Sequence, residues 1–501
     1  MEHVLPHDPR QVRGIRTAGK RQDRRGVQGA YHYAPSRYAR YLASMIRDLV
    51  KKGGALPLHM KTIRLAVVGG GSSYTPELID GLIKRWQNGE FLTEHLALID
   101  IPQGKRRLET IAGFVQRMMQ SAGMPCKVTS WTELAPGLEG ADFVISQIRV
   151  GGMKARQADE HIPIKYGIVG QETTGPGGFA CALRTIPAAL DIARQVEAVC
   201  PDAWLLNFTN PSGIVTEALI KYTKAKVFGL CNVPIGIKMG IAQALGVEHQ
   251  RLSVDVSGLN HLSFVTGLYL DGTDIMERVM NSPLLGAYFD RIKIGRDLAF
   301  FVNELSVIPG SYLYYYWSRQ KAIRDQLEDI SSGKGTRADQ VMKIEADLFK
   351  LYADQSVHTL PPELKQRGGA YYSDVALNSI SAIVRNVPHT EVLNVENLGA
   401  VPGLPEDVVV EVTTVVDGSG PKPVAQKQLP VGILGLVQKV KCYEQLTVEA
   451  AVEGDVVKAF SALINHPLVQ DGETAANLLK DILEANSEFL PQFKATEIPG
   501  F

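Results

Sequence analysis

The chain has 501 residues, 53 Lys+Arg against 53 Asp+Glu, with 45% hydrophobic and 21% charged residues. This neutral balance gives no electrostatic case for a nucleic-acid partner, and no apolar run approaches the roughly 20 residues that a membrane span needs. The length admits two domains and a large core, and five scattered cysteines without a Cys-x-x-Cys pair point to a reducing, cytoplasmic setting rather than a disulfide framework.

Up to Lys52, twelve Lys/Arg stand against four acids, with few aliphatic runs before Tyr41. Residues 1–59 are therefore expected to be a disordered extension, or to lie upstream of a true start at Met60. The ordered chain is expected to divide into a dinucleotide-binding half, 60–234, and a second half, 235–501, that is α+β and mostly helical and carries substrate and oligomer contacts.

Ile63 to Val68 is a buried-strand run that enters Gly69-Gly70-Gly71-Ser72-Ser73-Tyr74, and a helical pattern follows from Pro76. Strand, glycine turn and helix form the context of a dinucleotide site, where small residues let the backbone approach a pyrophosphate at the helix amino terminus. Gly69, Gly70, Gly71, Ser72 and Ser73 are the candidate cofactor contacts. Tyr74 stands where a third glycine is usual, which would loosen the packing of helix on strand. Leu96 to Ile99 ends on Asp100, an acid placed to meet a ribose diol, and this favours NAD over NADP.

Strand-like runs continue through 142–148, 203–208 and 227–230, so the expected fold is α/β: a Rossmann-like, doubly wound parallel sheet of the lactate/malate dehydrogenase kind. Each run ends in polar groups. The first leads to Arg149 and Arg156, the second to Asn207 and Asn210, and the third to Cys231-Asn232-Val233-Pro234. Between them, Gly170 to Gly178 is too rich in glycine and proline for a helix or central strand, and it carries Glu172. Thirty positions beyond Cys231, His261 lies in Gly258 to Phe264. One cysteine and one histidine could converge on a metal, although a buried cysteine is more often an ordinary core residue.

Taken in order, Gly69 to Ser72, Arg149 to Gly152 with Arg156, Gly170 to Gly178, Asn207 to Pro211, Cys231 to Pro234 and Gly258 to Phe264 resemble glycoside hydrolase family 4, the NAD-dependent glycosidases. The resemblance spans nearly all of residues 61–493. The Cys-Asn-Val-Pro form looks like the branch acting on 6-phospho-β-glucosides, so Asn232 is expected to contribute to catalysis and substrate choice. By the resemblance, Cys231 and His261 bind a divalent metal, usually Mn2+, and NAD takes a hydride from C3 of the sugar. The C2 proton then becomes removable, the aglycone leaves, water adds and the hydride returns. Tyr312 matches the family's catalytic tyrosine, and Glu172 the carboxylate expected to accept its proton. Arg156 and Asn210 match substrate-binding positions, Asn207 is assigned to the cofactor, and Arg367 is a further candidate for the sugar phosphate, with Gly368, Gly369, Tyr371, Tyr372 and Ser373 around it. The resemblance also implies a homodimer or homotetramer. Rival readings are a family member for another glycon or anomer (a 6-phospho-α-glucoside or an α-galactoside), a 2-hydroxy-acid dehydrogenase, or a non-catalytic sugar-phosphate sensor.

In the remainder, residues 407–412 and 432–436 read as strand-like runs of a small sheet and 425–430 as a loop. Helical spacing recurs over 437–463 and 475–489.

Overall fold

Thr62–Val68 (β1) is buried from Leu65 onward, as a strand covered by helices on both faces must be. It belongs to a computed structural model that describes residues 60–294, 298–368 and 371–493; the expectations for residues 1–59 and for Gly369 lie outside these. Leu92–Ile99 (β2), Lys127–Trp131 (β3), Phe143–Ser146 (β4), Trp204–Asn207 (β5) and Lys226–Gly229 (β6) join β1 in parallel. Their order is β3-β2-β1-β4-β5-β6, so the winding direction reverses between β1 and β4, where an open sheet of this kind leaves a ligand crevice.

A second sheet is built on the hairpin of Leu252–Leu259 (β7) and Leu262–Leu270 (β8), with Thr273–Asp274 (β9) and Ile308–Pro309 (β10) paired to β8. The strand-like run at 407–412 does not belong to it. His389–Glu396 (β11), Val409–Asp417 (β12) and Gly420–Pro423 (β13) instead continue the main sheet antiparallel beyond β6, making nine strands. β12 is rich in valine and threonine and buried along almost its whole length, which suits β-branched side chains held between layers.

One row of paired Cα atoms crosses the sheet at the carboxyl edge of the parallel strands. It runs Trp131, Ile99, Val68, Ser146, Asn207, Gly229, Asn394 and Glu411. The loops that follow the parallel members of this row carry the candidate site.

Two helical segments differ from expectation. The glycine-rich segment is a loop only as far as Thr174; Gly175–Val199 is a 25-residue helix that begins on Gly175-Pro176-Gly177-Gly178. Proline is tolerated there because the first-turn N–H groups have no intrahelical partner. A Cβ on Gly177 would stand 2.3 Å from the Gln171 carbonyl oxygen, so the turn can fold back on its own loop only as glycine. Residues 432–436 are not a strand either but part of the helix Val431–Glu453, in which Ile433, Leu434, Val437 and Val440 turn inward. Among the described residues no helix is long and apolar enough to cross a membrane.

Candidate active site

The glycine turn after β1 closes against β2. The N–H groups of Gly69 and Gly70 both donate to the Ile99 carbonyl at 2.8 Å, and a Cβ on Gly70 would sit 2.9 Å from the Ile99 nitrogen. Asp100 faces this turn: its Oδ2 accepts from Gly71 N at 2.9 Å and its Oδ1 from Ile101 N at 2.9 Å. The missing third glycine does not loosen the packing, because Thr75 Oγ1 donates to the Gly70 carbonyl at 2.9 Å and accepts from Gln147 Nε2 at 2.9 Å. Tyr74 points elsewhere. Its hydroxyl donates to the Gly368 carbonyl, and its ring lies 4.1 Å below the Arg367 guanidinium.

Ser73 and Arg367 meet on a residue the sequence reading passed over. The Glu345 carboxylate accepts from Ser73 Oγ at 2.7 Å, Arg367 Nε at 3.0 Å and Arg107 Nη2 at 3.1 Å. Ser73 is fully buried in this network, so its hydroxyl fixes the loop from below while Ser72 stays half-buried at the loop's surface.

Beyond β4, buried charges neutralise one another. Glu172 takes Arg149 Nη1 at 2.5 Å on Oε2 and Arg156 Nη1 at 3.2 Å on Oε1, while Arg156 Nε donates to Glu160 at 2.8 Å. Burial alone would raise the Glu172 pKa, but the two guanidinium groups outweigh it and hold the carboxyl at about 2. So placed, Glu172 stands between two arginines, with its charge also felt at Tyr312. Below it, Arg184 Nη1 meets Asp159 Oδ1 at 2.7 Å, and burial still pushes Asp159 up to about 6 against that pairing.

Asn207 is completely buried, and its side chain is consumed by the turn that follows β5. Nδ2 donates to Thr216 Oγ1 at 3.0 Å, and Oδ1 accepts from Thr209 N at 3.1 Å. It therefore shapes the edge of the site rather than offering its amide to a cofactor. Asn210 and Asn232 stand partly exposed after β5 and β6, the latter at the start of the helix Val233–Leu245.

Cys231 and His261 do converge. Sγ and Nε2 are 3.5 Å apart, both residues are buried, and the ring lies at the tip of the β7–β8 hairpin. Thr173 Oγ1 lies 2.8 Å from both Gln171 Oε1 and His261 Nδ1, with the Tyr312 hydroxyl also in its reach, so it holds the ring from the Nδ1 side. Nε2, the other ring nitrogen, faces the sulfur. Burial lowers the His261 pKa to about 4, with Glu172 opposing, so the imidazole is neutral as a metal ligand must be. Burial also pushes the Cys231 thiol up, reinforced by Glu411. Among the described residues no cluster of three or more His, Cys, Asp or Glu side chains forms, so an ion would have two protein ligands here and open positions for other oxygens. The spacing fits. At 3.5 Å apart, Sγ and Nε2 could both reach one ion.

Tyr312 completes the group. β10 pairs Pro309 with Phe264, and Gly310 N donates to the Ser263 carbonyl at 3.0 Å. This short pairing lays the Tyr312 ring flat on His261, with centroids 3.7 Å apart and planes within 7°. Burial raises the phenol well above its ordinary value, as do Tyr315, Cys231 and Glu172, while a hydrogen bond with Thr173 opposes the rise.

Sequence reasoning missed Thr173, Glu345, Glu411 and the pairing of Arg149 with Glu172. Only Glu411 left a trace in the sequence, as a lone charge inside the run Val408 to Val416.

The sequence profile described as Family 4 glycosyl hydrolase matches residues 64–247, and that of the family's C-terminal domain matches 256–469. A Bacillus subtilis (strain 168) protein named probable 6-phospho-beta-glucosidase is 45% identical over 437 residues, covering 86% of this chain and 98% of its own. The 6-phospho-beta-glucosidase of Escherichia coli (strain K12) is 38% identical, covering 86% and 97%. Among solved structures, the Thermotoga maritima 6-phospho-beta glucosidase with manganese, NAD+ and glucose-6-phosphate is 34% identical, with a TM-score of 0.75 over 86% of this chain and 99% of that one.

Proposed function

The chain belongs to glycosyl hydrolase family 4, and from that premise we propose that it is a 6-phospho-β-glucosidase dependent on NAD and a divalent metal such as Mn2+. The observation that carries this reading is the stack of Tyr312 on His261 beside Cys231, on the same sheet edge as a glycine turn closed by an acid. A hydrolase working with two carboxylates has no use for either half of that arrangement. The similar proteins named for phosphorylated β-glucosides, including one solved with manganese and NAD+, support the same assignment.

When bound, the nicotinamide accepts and returns a hydride, and the ion supplies Lewis acidity together with a positive field that brings the Tyr312 phenol down. Cys231 and His261 would hold the ion. Gly69, Gly70, Gly71, Ser72 and Asp100 would hold the cofactor, with a cleft lined by Leu108, Ser130, Trp131 and Pro136 beyond Asp100 for the adenine end. Tyr312, once such a field has made it a phenolate, takes the proton from C2, its oxygen steadied by the hydrogen bond with Thr173. Arg156 with Asn210 and Asn232 meets the sugar phosphate, which draws on a guanidinium already shared between Glu160 and Glu172. Arg367 acts one step back, tying Glu345 and Tyr74 to the cofactor turn. The five cysteines are free, and a working Cys231 needs its thiol reduced, which fits a cytoplasmic enzyme; a homodimer or homotetramer is the assembly expected of the family.

Rates on p-nitrophenyl β-glucoside 6-phosphate, its α anomer and the unphosphorylated β-glucoside, with NAD and Mn2+ present, test the assignment. The phosphorylated β substrate should be preferred, with many turnovers per NAD. Preference for the α anomer would move the chain to another branch, and one NAD reduced per product would make it a dehydrogenase.

A further inference from the structure

Glu411 is fully buried near the start of β12, in a strand otherwise built from valine and threonine up to its last residue, Asp417. A buried carboxylate costs stability that valine would not, unless it does something a valine cannot. Its register is informative: through Asn394 and Gly229 it closes the row of paired residues that ends the parallel strands, so it lies at the functional edge of the sheet. Its two oxygens reach across to the second sheet. Oε1 accepts from Asn260 Nδ2 at 2.8 Å, and Oε2 accepts from Ser263 Oγ at 2.8 Å. These two residues flank His261.

The turn they flank is under strain. Leu259 pairs with Leu262, so Asn260 and His261 alone make the hairpin connection, and His261 sits at φ +63°. That left-handed conformation is normally left to glycine in a two-residue hairpin, and it persists with a larger side chain only where the surroundings over-determine it. One carboxylate gripping both sides of the residue is such a constraint. Asn260 reaches Cys231 as well, which links the grip to the sulfur.

We propose that Glu411 is a positioning residue that clamps the Asn260–Ser263 turn and so presets His261 Nε2 against Cys231 Sγ as a preformed pair for a divalent metal. The inference rests on the reading of Cys231 and His261 as the metal ligands. It concerns metal binding, and metal binding is what tests it. Co2+ is titrated into the full chain while its thiolate-to-metal absorption is followed, and Mn2+ affinity is measured by electron paramagnetic resonance of the free ion. Wild type is compared with Glu411→Ala, Glu411→Gln, Asn260→Ala, Cys231→Ser and Thr413→Val. The last is a control on the same strand, which loses the hydrogen bond from Val256 N to Thr413 Oγ1 at 2.8 Å.

Glu411→Ala should weaken both ions about 10- to 100-fold and diminish the thiolate band, as loss of an outer support does. Glu411→Gln keeps an acceptor for Asn260 and turns its amide to Ser263, and should restore binding to within a few fold. Asn260→Ala removes one arm of the clamp and decides the matter if Glu411→Ala does not fold. Thr413→Val should lower the melting temperature without changing either affinity. Unchanged affinity and spectrum in both Glu411→Ala and Asn260→Ala would overturn the proposal, as would a loss in Thr413→Val matching theirs. A thiolate band that survives in Cys231→Ser would instead overturn the ligand assignment itself.

Discussion

Thr173 Oγ1 stands within hydrogen-bonding reach of Gln171, His261 and Tyr312, and so ties the glycine-rich loop to the chemistry beside it. With Nδ1 engaged by Thr173, the imidazole of His261 presents Nε2 toward Cys231. Thr173→Val keeps the shape and removes the hydroxyl. Its Mn2+ affinity should fall about 10- to 100-fold with little change in melting temperature, measured by metal titration; unchanged affinity would show that the ring is held from elsewhere. The motifs made the convergence of Cys231, His261 and Tyr312 legible, since the three lie far apart in the chain and come together in space. The sequence could not make Thr173 legible, because a threonine in a glycine-rich loop carries no sign of which atom it faces. Nor could it tell which way Ser73 and Asn207 turn. Both sit in the right loops, but their side chains point into the protein, and residue type alone does not tell inward from outward.

At the scale of elements, the loop 170–174 is held by close approaches that only glycine permits. A Cβ on Gly170 would stand 1.9 Å from the Glu160 carbonyl oxygen, which is backbone and cannot swing away. Gly170→Ala should therefore displace Glu172 and Thr173, lowering kcat/KM at least tenfold and costing about 1–3 kcal/mol of stability. Gly167→Ala is the control: its φ is +64°, but nothing lies within 4 Å of the new Cβ, so the cost is about 1 kcal/mol and the site is untouched. Steady-state rates and thermal melts on the pair decide, and equal activity in both variants would contradict the account. The parallel strands were legible because each is a short apolar run ending in polar residues. The helix around 432–436 was not, because five residues with glycines at 432 and 435 fit a strand period as well as a helical one, and only the longer run resolves it.

Across the whole molecule, the second half does not merely pack on the first but supplies three of the nine strands in its sheet, an arrangement no local pattern encodes. A buried triad joins the halves at this seam. Lys441 Nζ lies 2.6 Å from Glu217 and 2.5 Å from Glu444, and Glu217 also accepts from Val409 N at 3.0 Å, where β12 begins. One cation serves two carboxylates. Burial pushes Glu444 from its ordinary 4.5 up to about 7, with Lys441 opposing and Glu217 adding to the rise. A folded pKa above the unfolded one means that the fold favours the protonated acid, so this contribution is complete below about pH 4.5 and is lost as pH climbs toward 7. Glu444→Gln should remove that loss, leaving a melting temperature a few degrees less sensitive to pH between 5 and 8 than wild type. Parallel pH profiles would show that the triad does not titrate. The central claim, that the glycosidic bond yields to a transient oxidation with Tyr312 removing the C2 proton, is tested most directly by running the reaction in D2O with NAD and Mn2+ and examining C2 of the released glucose 6-phosphate by NMR. The account predicts deuterium at C2 in the wild-type product, with turnover and exchange lost in Tyr312→Phe while cofactor and metal still bind; product that retains its C2 protium at full rate would contradict it.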